Sequence, residues 1–281
     1  MRIAVSAEST LDLTNELLTK YDIRTISYQI VLGDMNFKDG DHSTEEIFSF
    51  VEKYKMLPKT NALNEFEYTE YFEGLRKNYD AVIHVCLSSG LSSSCNNALN
   101  AAKNVDNVYV VDSQSLSTGI GMLCIHAREL ADQGVEPQEI ANILTERAKH
   151  VQASFVVERL DYLYKGGRCN SLQLLGANLL KLRPRIVVKD GKMSSDKKYK
   201  GKMESVVSKY ASDAIEEFNT PDLTRAFITY TTATIEMVKA AEKALKEAGF
   251  KEILETRAGG TIASHCGANT IGVLYFNDGN K

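Results

Sequence analysis

The first half of the chain alternates short apolar runs with amphipathic segments, and this alternation is the feature that most restricts its fold. The amphipathic segments have helical spacing, and one of them, STEEIFSFVEKY, begins with a capping-box pattern in which Ser43 and Glu46 are three residues apart. The apolar runs have the length and composition of strands, and they read RIAVS, ISYQIVLG, AVIHVCLS and NVYVVDS. We therefore expect a mostly parallel, twisted sheet that is covered by helices.

The second half has a different order of elements. The segment RPRIVVKDGKM predicts a strand that ends at the hairpin turn Asp190-Gly191, and TIEMVKAAEKALKEAG predicts a helix closed by Gly249. Strands are also predicted at EILETRAG and TIGVLYF. Because 281 residues suffice for two domains, we expect an N-terminal, mostly parallel α/β domain over residues 1–150 and a C-terminal α/β domain with a mixed sheet over residues 151–281.

Composition and charge exclude several classes of protein. A net charge of -4 gives no bulk attraction to nucleic acid. The amino terminus lacks a signal-peptide pattern, and no run approaches the roughly 18 apolar residues of a transmembrane helix, so we expect a cytoplasmic protein without stable membrane insertion. The five cysteines form no CxxC pair, which argues against a disulfide framework and against a metal site.

A serine-rich segment, LSSGLSSSCNNA, follows the apolar run AVIHVC, and we call residues 87–98 the serine loop. In parallel α/β sheets, ligands bind beyond the carboxyl ends of the strands. A loop that opens a helix there presents unpaired N–H groups and the positive end of the helix dipole. Ser92 and Ser93 would add hydroxyl donors for a carboxylate or a phosphate. The alternative is an ordinary helix cap with solvated turn residues.

Three further residues are candidates for a site. Asp112 follows the next apolar run and would orient donors, or simply begin a turn. Arg168, in GGRC, would bind an anion or form a structural ion pair. His265 could donate a hydrogen bond to a carboxylate, or be an ordinary packed residue. The chain contains no GxxxxGK[ST], HExxH or GxSxG motif of the common enzyme classes.

Seven segments, in this order, resemble the DegV family of bacterial fatty-acid-binding proteins over nearly the full length. They are AESTLDLT, PKTN, LSSGLSSSCNNA, VVDSQSLSTGIG, LDYLYKGGRCNS, LRPRIVVKDGKM and SHCGANTIGVLYF. The resemblance implies two α/β domains with one fatty acid held between them. It also implies a carrier that is not itself an enzyme and needs no cofactor. Such a carrier presents its fatty acid to a partner fatty acid kinase, which phosphorylates the carboxylate to an acyl phosphate for phospholipid synthesis.

The resemblance also implies which residues bind the carboxylate. Thr60, Ser92 and His265 match the family's head-group ligands, and the backbone N–H of Ser93 would join them. Asn61, a possible supporting residue, replaces the family's usual serine. Ser93 stands where the family usually has glycine.

Other parts of the family pattern also differ in this chain. Glu8 replaces the family's usual aspartate, and the proline of its late HxGPG motif is missing. Near LRPRIVVKDGKM the family often has an arginine that docks the kinase, and this chain has Lys200 and Lys202 in that neighbourhood as possible docking residues. For the fatty-acid tail, we expect contacts from SLQLLGANLL and from the helix after Gly119, although both could be ordinary core.

Two other functions remain open from the residues alone. Serines near His265 and Asp112 could form the nucleophilic site of a serine-dependent hydrolase, or of another enzyme acting on acyl or phosphoryl groups. A regulatory or adaptor protein that binds a different, small acidic metabolite is the third reading.

Overall fold

The computed structural model describes residues 1–169 and 182–279 as a succession of strands and helices. The strands are β1 (Ile3–Glu8), β2 (Ile23–Ile26), β3 (Gln29–Leu32), β4 (Met35–Lys38), β5 (Lys59–Asn61), β6 (Ala81–Cys86), β7 (Val108–Asp112), β8 (Val151–Val156), β9 (Arg183–Lys189), β10 (Lys192–Tyr199), β11 (Arg225–Tyr230), β12 (Glu252–Arg257) and β13 (Ile271–Phe276). The helices are α1 (Asn15–Lys20), α2 (Thr44–Tyr54), α3 (Glu65–Arg76), α4 (Ser94–Ala101), α5 (Thr118–Asp132), α6 (Pro137–Ala148), α7 (Asp161–Gly166), α8 (Met203–Glu217), α9 (Ile235–Glu247) and α10 (Gly260–Cys266). Short 3-10 turns cover Ser9–Leu11 and Ala102–Asn104.

A four-stranded parallel sheet, in the order β2-β1-β6-β7, confirms the fold predicted for the first half. Strands β1 and β6 are buried along their whole length, which is why they read as continuous apolar runs. The carboxyl ends of parallel strands meet at one edge of the sheet. The serine loop after β6 and the loop after β7 therefore lie side by side.

A small antiparallel sheet, in the order β4-β3-β5, was not predicted. The segment ISYQIVLG reads as one strand, but β2 ends at Ile26 and β3 begins at Gln29. Between them Tyr28 is buried, and its backbone N–H donates to Ser9 Oγ over 3.2 Å. This distant hydrogen bond has no local sequence signal. Helix α2 covers the small sheet, and its start has the predicted capping box of Ser43 and Glu46.

The second half forms a six-stranded mixed sheet in the order β10-β9-β8-β13-β11-β12. Only β11 and β12 are parallel among these strand pairs, so the predicted mixed sheet is confirmed. The predicted hairpin turn joins β9 to β10, and Asp190 and Gly191 have φ values of 49° and 73°. Two consecutive positive φ angles are those of a type I′ turn, which glycine tolerates well.

Helix α5 lies between the two large sheets, and nine of its residues are buried. One apolar cluster includes Leu123 of this helix, Val85 of the N-terminal sheet, and Phe155 and Leu274 of the C-terminal sheet. Helix α5 is therefore part of the core that joins the two sheets, and its expected contact with a ligand tail stays a prediction. The other segment, SLQLLGANLL, lies outside the described residues.

Within residues 1–169 and 182–279, no helix has both the length and the apolar character needed to cross a bilayer.

Candidate functional site

A narrow pocket lies where the serine loop, β5 and α10 converge. It contains about 490 Å³ of space that protein atoms do not fill, part of it open to solvent. Four residues singled out from the sequence line it: Thr60, Ser92, Arg168 and His265. The other lining residues among those described are mostly apolar: Tyr28, Ala62, Leu87, Leu91, Leu116, Met193, Thr261, Ile262 and Cys266.

Thr60 and His265 contact each other directly, although 205 positions separate them. The Thr60 Oγ1 to His265 Nε2 distance is 2.8 Å. Thr60 is the middle residue of β5, so its side chain faces the pocket while its neighbours on the strand are exposed. His265 lies in the last turn of α10. If Nε2 carries the imidazole proton, it donates to Thr60 and leaves the threonine hydroxyl proton for a ligand.

Burial sets the charge of His265. Desolvation lowers its pKa to about 4, and the positive charge of Arg168 acts in the same direction. The imidazole is therefore neutral at pH 7 and offers one N–H donor. An anion in this pocket would be held by neutral hydrogen-bond donors rather than by an imidazolium ion.

Ser92 is held by Tyr28, a residue that sequence analysis did not single out. The Tyr28 hydroxyl donates to Ser92 Oγ over 3.1 Å, and the backbone N–H of Ser94 donates to the same oxygen over 3.2 Å. Burial raises the pKa of Tyr28, so its phenol remains a donor. The buried Ser94 hydroxyl in turn accepts from the N–H of Leu63 over 3.1 Å.

The first two serines of the loop attach it to neighbouring segments. Ser88 Oγ donates to the carbonyl oxygen of Gly191 over 2.7 Å, which joins the loop to the β9–β10 hairpin. Asp112 accepts from Ser89 twice, from its N–H at 3.2 Å and its hydroxyl at 2.5 Å, and from the N–H of Gln114 at 2.9 Å. Asp112 thus orients the loop, and it is not among the described pocket-lining residues.

The family comparison agrees with this fold. Residues 2–278 match the model of a family described as an uncharacterised protein, DegV family. The chain belongs to the DegV family.

Three related proteins show how far the likeness extends. A DegV domain-containing protein of Caldanaerobacter subterraneus is 28% identical over 278 residues, which cover 98% of each chain. A protein of Thermotoga maritima named fatty acid-binding protein is 32% identical over 227 residues, covering 77% of this chain and 78% of the relative. The solved structure of a Thermus thermophilus DegV family protein, described by its fatty acid binding, superposes with a TM-score of 0.88 at 26% identity, covering 98% of this chain and 99% of that chain.

Ser93 occupies the position where the DegV family usually has glycine. Its backbone angles, φ -73° and ψ -10°, are right-handed helical, so a side chain causes no strain here. The side chain is exposed and is not among the described pocket-lining residues. Its backbone N–H has no acceptor within the described part of the chain and remains available to a ligand.

Asn61 and Arg168 have different positions relative to the pocket. Asn61 is exposed at the end of β5 and is not among the described lining residues. Arg168 lines the pocket mouth, and its guanidinium donates to the carbonyl oxygen of Gly166 over 2.7 Å. Arg168 was also considered for a structural ion pair, but it forms none with a carboxylate of residues 1–169 and 182–279.

Lys200 and Lys202, which the resemblance offered as possible kinase-docking residues, are exposed. They lie between β10 and α8, and neither is among the described pocket-lining residues. Strand β10 is an edge strand of the mixed sheet, so both lysines lie at a border of the molecule that another protein could reach.

Glu8 anchors the start of the serine loop. It is fully buried, and its two oxygens accept from the hydroxyl of Tyr68 at 2.6 Å and from the N–H of Leu87 at 2.9 Å. Leu87 is the first residue of the loop. The DegV family usually has aspartate at this position, and the longer glutamate still reaches the loop backbone.

Glu8, His84 and Cys86 form a buried cluster whose ligand atoms lie within 4.8 Å of one another. Both oxygens of Glu8 already accept hydrogen bonds, and His84 Nδ1 is 2.8 Å from Ser6 Oγ. Burial also raises the pKa of the Cys86 thiol, which disfavours the thiolate that a metal needs. The cluster is a hydrogen-bonded support beneath the serine loop.

Thr261 is a second pocket residue that sequence analysis missed. It precedes His265 by four positions on α10, so the two side chains lie on the same face of the helix. Its side chain is buried, and Oγ1 has no hydrogen-bond partner among the described residues. No local pattern could reveal this residue, because the sequence predicted no helix between β12 and β13.

The serine hydrolase alternative requires a hydrogen-bonded series of serine, histidine and aspartate. In this structure Ser92 bonds with Tyr28 and Ser94, whereas His265 bonds with Thr60. Asp112 binds the loop at Ser89, as described above. The three groups thus belong to separate hydrogen-bond networks.

Proposed function

We propose that this protein binds a long-chain fatty acid, whose carboxylate is held by Thr60, Ser92 and His265. One observation carries the proposal: three segments distant in sequence bring these polar side chains into one pocket with a mostly apolar wall. The names of the Thermotoga and Thermus relatives support it.

The head group would be held by several convergent donors. The hydrogen bond between Thr60 and His265 uses one of their two protons and leaves the other for a ligand, according to the imidazole tautomer. The backbone N–H of Ser93 is available as well, and the Ser92 hydroxyl can turn to the ligand from its 3.2 Å contact with Ser94 Oγ. A hydrogen bond to a charged group contributes roughly 1.5–3 kcal/mol. Several of them together can offset the desolvation of a carboxylate in a site where the histidine is neutral.

The tail would supply most of the affinity. Seven aliphatic or sulfur-containing side chains among the described residues line the pocket beside the head-group cluster: Ala62, Leu87, Leu91, Leu116, Met193, Ile262 and Cys266. Each methylene buried against such a wall contributes about 0.8 kcal/mol, so a long chain outweighs its own head group.

The protein would act as a carrier rather than as an enzyme. A partner fatty acid kinase would phosphorylate the bound carboxylate to an acyl phosphate, which feeds phospholipid synthesis. This part of the proposal rests on the family resemblance and on exposed Lys200 and Lys202 as a docking position. The pocket is partly open to solvent, which leaves the head group within reach of a partner.

The first test is to extract the ligand from protein purified from bacteria and to identify it by mass spectrometry. A long-chain fatty acid at near-equal molar ratio is expected. Empty protein that also fails to bind added palmitate in calorimetry contradicts the proposal, as does turnover of acyl esters that Ser92→Ala abolishes.

Variants test the head-group assignment. Thr60→Val, Ser92→Ala and His265→Ala should each lower palmitate affinity about tenfold or more, because each removes one charge-assisted hydrogen bond. Thr19→Val and Ser49→Ala, at exposed positions of α1 and α2, are matched controls and should bind as the wild type does. Unchanged palmitate affinity in all three site variants would show that these residues do not bind the head group.

The carrier role has a separate test. With ATP and a fatty acid kinase, acyl phosphate should form only when the loaded carrier is present. Exchanging Lys200 and Lys202 for glutamate should slow that reaction and leave palmitate binding unchanged. Lys243→Glu, on the exposed face of α9, is the control. Equal rates of acyl phosphate formation with the double variant and with the control would show that Lys200 and Lys202 do not dock the kinase.

A further inference from the structure

Two carboxylates from distant parts of the chain hold the first turn of α10. Asp12 accepts from the N–H of Gly259 over 2.8 Å. Asp39 accepts from Gly260 over 2.7 Å and from Thr261 over 3.2 Å. Gly259 stands at the N-cap and has no side chain to cap the helix. Asp12 and Asp39 therefore satisfy N–H groups that a helix start otherwise leaves unpaired.

Both carboxylates are themselves fixed from the N-terminal half of the chain. Asp12 and Asp39 are 4% and 6% exposed. The Ser117 hydroxyl donates to Asp12 over 2.5 Å, and the Ser9 hydroxyl donates to Asp39 over 2.9 Å. Their hydrogen bonds to α10 therefore attach this helix of the C-terminal half to a rigid part of the N-terminal half.

The packing around the first turn of α10 leaves little room for the helix to lie in another position. A Cβ atom at Gly260 would lie 2.6 Å from Ile30 Cδ1 and 2.9 Å from Ile47 Cδ1. Glycine at this position lets the helix backbone approach the small sheet and α2. Such close packing and the five hydrogen bonds at Asp12 and Asp39 define one location for α10.

We infer that Asp39 is a positioning residue for fatty-acid binding, which places His265 by fixing the start of α10. This inference rests on the function proposed above. The helix has seven residues and spans about 10 Å, so a displacement of its first turn moves His265 at its other end. Hydrogen bonds weaken steeply once donor and acceptor separate beyond about 3.2 Å. A small shift of α10 would therefore weaken the contact of His265 with Thr60 and with the ligand.

The two carboxylates should respond differently to replacement by asparagine. At Asp12, an amide keeps both interactions, because its oxygen accepts from Gly259 and its NH₂ donates to Ser117. At Asp39, both oxygens accept from backbone N–H groups. The NH₂ group of asparagine would face one of those backbone N–H groups. Both groups are donors, so one hydrogen bond to α10 would be lost.

The test compares Asp12→Asn with Asp39→Asn in the full-length protein. Palmitate affinity by calorimetry should fall about tenfold or more in Asp39→Asn and change less than about threefold in Asp12→Asn. The nitrogen-15 and ring-proton NMR signals of His265 should shift in Asp39→Asn only. Asp222→Asn, at a half-buried carboxylate partner of Arg147, is the control, and it should lower the melting temperature without moving either readout.

Ser9→Ala provides a milder variant if Asp39→Asn does not fold. It removes the hydroxyl that holds Asp39 and should give an intermediate loss of palmitate affinity. Wild-type affinity and unshifted His265 signals in both the Asp39→Asn and Ser9→Ala proteins would overturn the inference. If the wild-type protein bound no palmitate, the proposed function would fail, and the His265 signals would still test whether Asp39 positions this side chain.

Discussion

At the scale of the residue, burial decides how the pocket can hold an anion. His265 has a pKa lowered to about 4, so it contributes a neutral N–H donor at pH 7. Tyr28 remains protonated because burial raises its pKa, and it holds Ser92 in place. The pocket thus presents hydroxyl and N–H donors, while Arg168 stays exposed at its mouth. Such a site suits a singly charged carboxylate that brings its own apolar tail.

Replacement of Thr261 by valine should raise the stability of the ligand-free protein and lower its affinity for palmitate. Thr261→Val removes a buried hydroxyl without a described partner, and leaving such a group unsatisfied costs about 1–3 kcal/mol. We expect the ligand-free variant to be about 1 kcal/mol more stable in urea unfolding. Palmitate affinity should fall several-fold, because we expect the bound ligand to accept a hydrogen bond from this hydroxyl. A variant that gains stability and binds palmitate as tightly as the wild type would rule out contact with the ligand.

At the scale of the element, the segment AESTLDLT organises the pocket through hydrogen bonds. Glu8 fixes the start of the serine loop. Ser9 bonds to Asp39 and to the backbone of Tyr28. Asp12 bonds to the start of α10. One short segment that begins at the end of β1 therefore sets the positions of three parts of the pocket wall, although Glu8, Ser9 and Asp12 are not among the described lining residues.

The start of α10 also predicts how stability depends on pH. Burial raises the pKa of Asp12 to about 8, and Asp39 adds to the effect. The folded state then binds more protons at Asp12 than the unfolded state between pH 4 and 8, so this group stabilises less as pH rises. His265 acts in the opposite direction between pH 4 and 6.5, because its pKa is lowered. Between pH 6.5 and 8, the contribution of Asp12 to stability should fall by about 2 kcal/mol.

Urea unfolding at several pH values measures this effect. Burial raises the pKa of the nearby Cys266 thiol to about 12, with a contribution from Asp12, so this thiol does not titrate in this range. Asp12→Asn keeps the hydrogen bonds and removes the titration, so its stability should change less than that of the wild type from pH 6.5 to 8. Parallel pH profiles for the two proteins would contradict the assignment to Asp12.

At the scale of the whole molecule, the two large sheets share one core. Helix α5 is buried between them, and the same apolar cluster contains residues from both halves of the chain. Arg225 of β11 adds ion pairs with Glu129 of α5 and with Glu252. The division at residue 150 remains a prediction, and the shared core indicates that the halves depend on each other.

This shared core predicts cooperative unfolding. We expect a single transition in calorimetry, with equal calorimetric and van't Hoff enthalpies, because separating the halves would expose the apolar faces on both sides of α5. Residues 1–150 expressed alone should aggregate or bind a hydrophobic dye. Two resolved transitions, or a stable soluble fragment 1–150, would contradict this expectation.

The sequence by itself determined the elements whose signals are local. Alternating apolar runs predicted the parallel sheet, Asp190-Gly191 predicted a hairpin turn, and Ser43 with Glu46 predicted a helix start. Resemblance to the DegV family supplied Thr60 and His265, which the structure brings within 2.8 Å. These features depend on neighbours a few residues away, or on motifs shared with relatives.

Only the tertiary structure decided how the pocket is supported. Helix α10 was not predicted, because its first turn contains two glycines and its caps come from Asp12 and Asp39, 247 and 221 positions away. The partnership of Tyr28 with Ser92 likewise joins residues 64 positions apart. Such contacts form only when the packing of the whole chain brings their elements together, so no local pattern in the sequence encodes them.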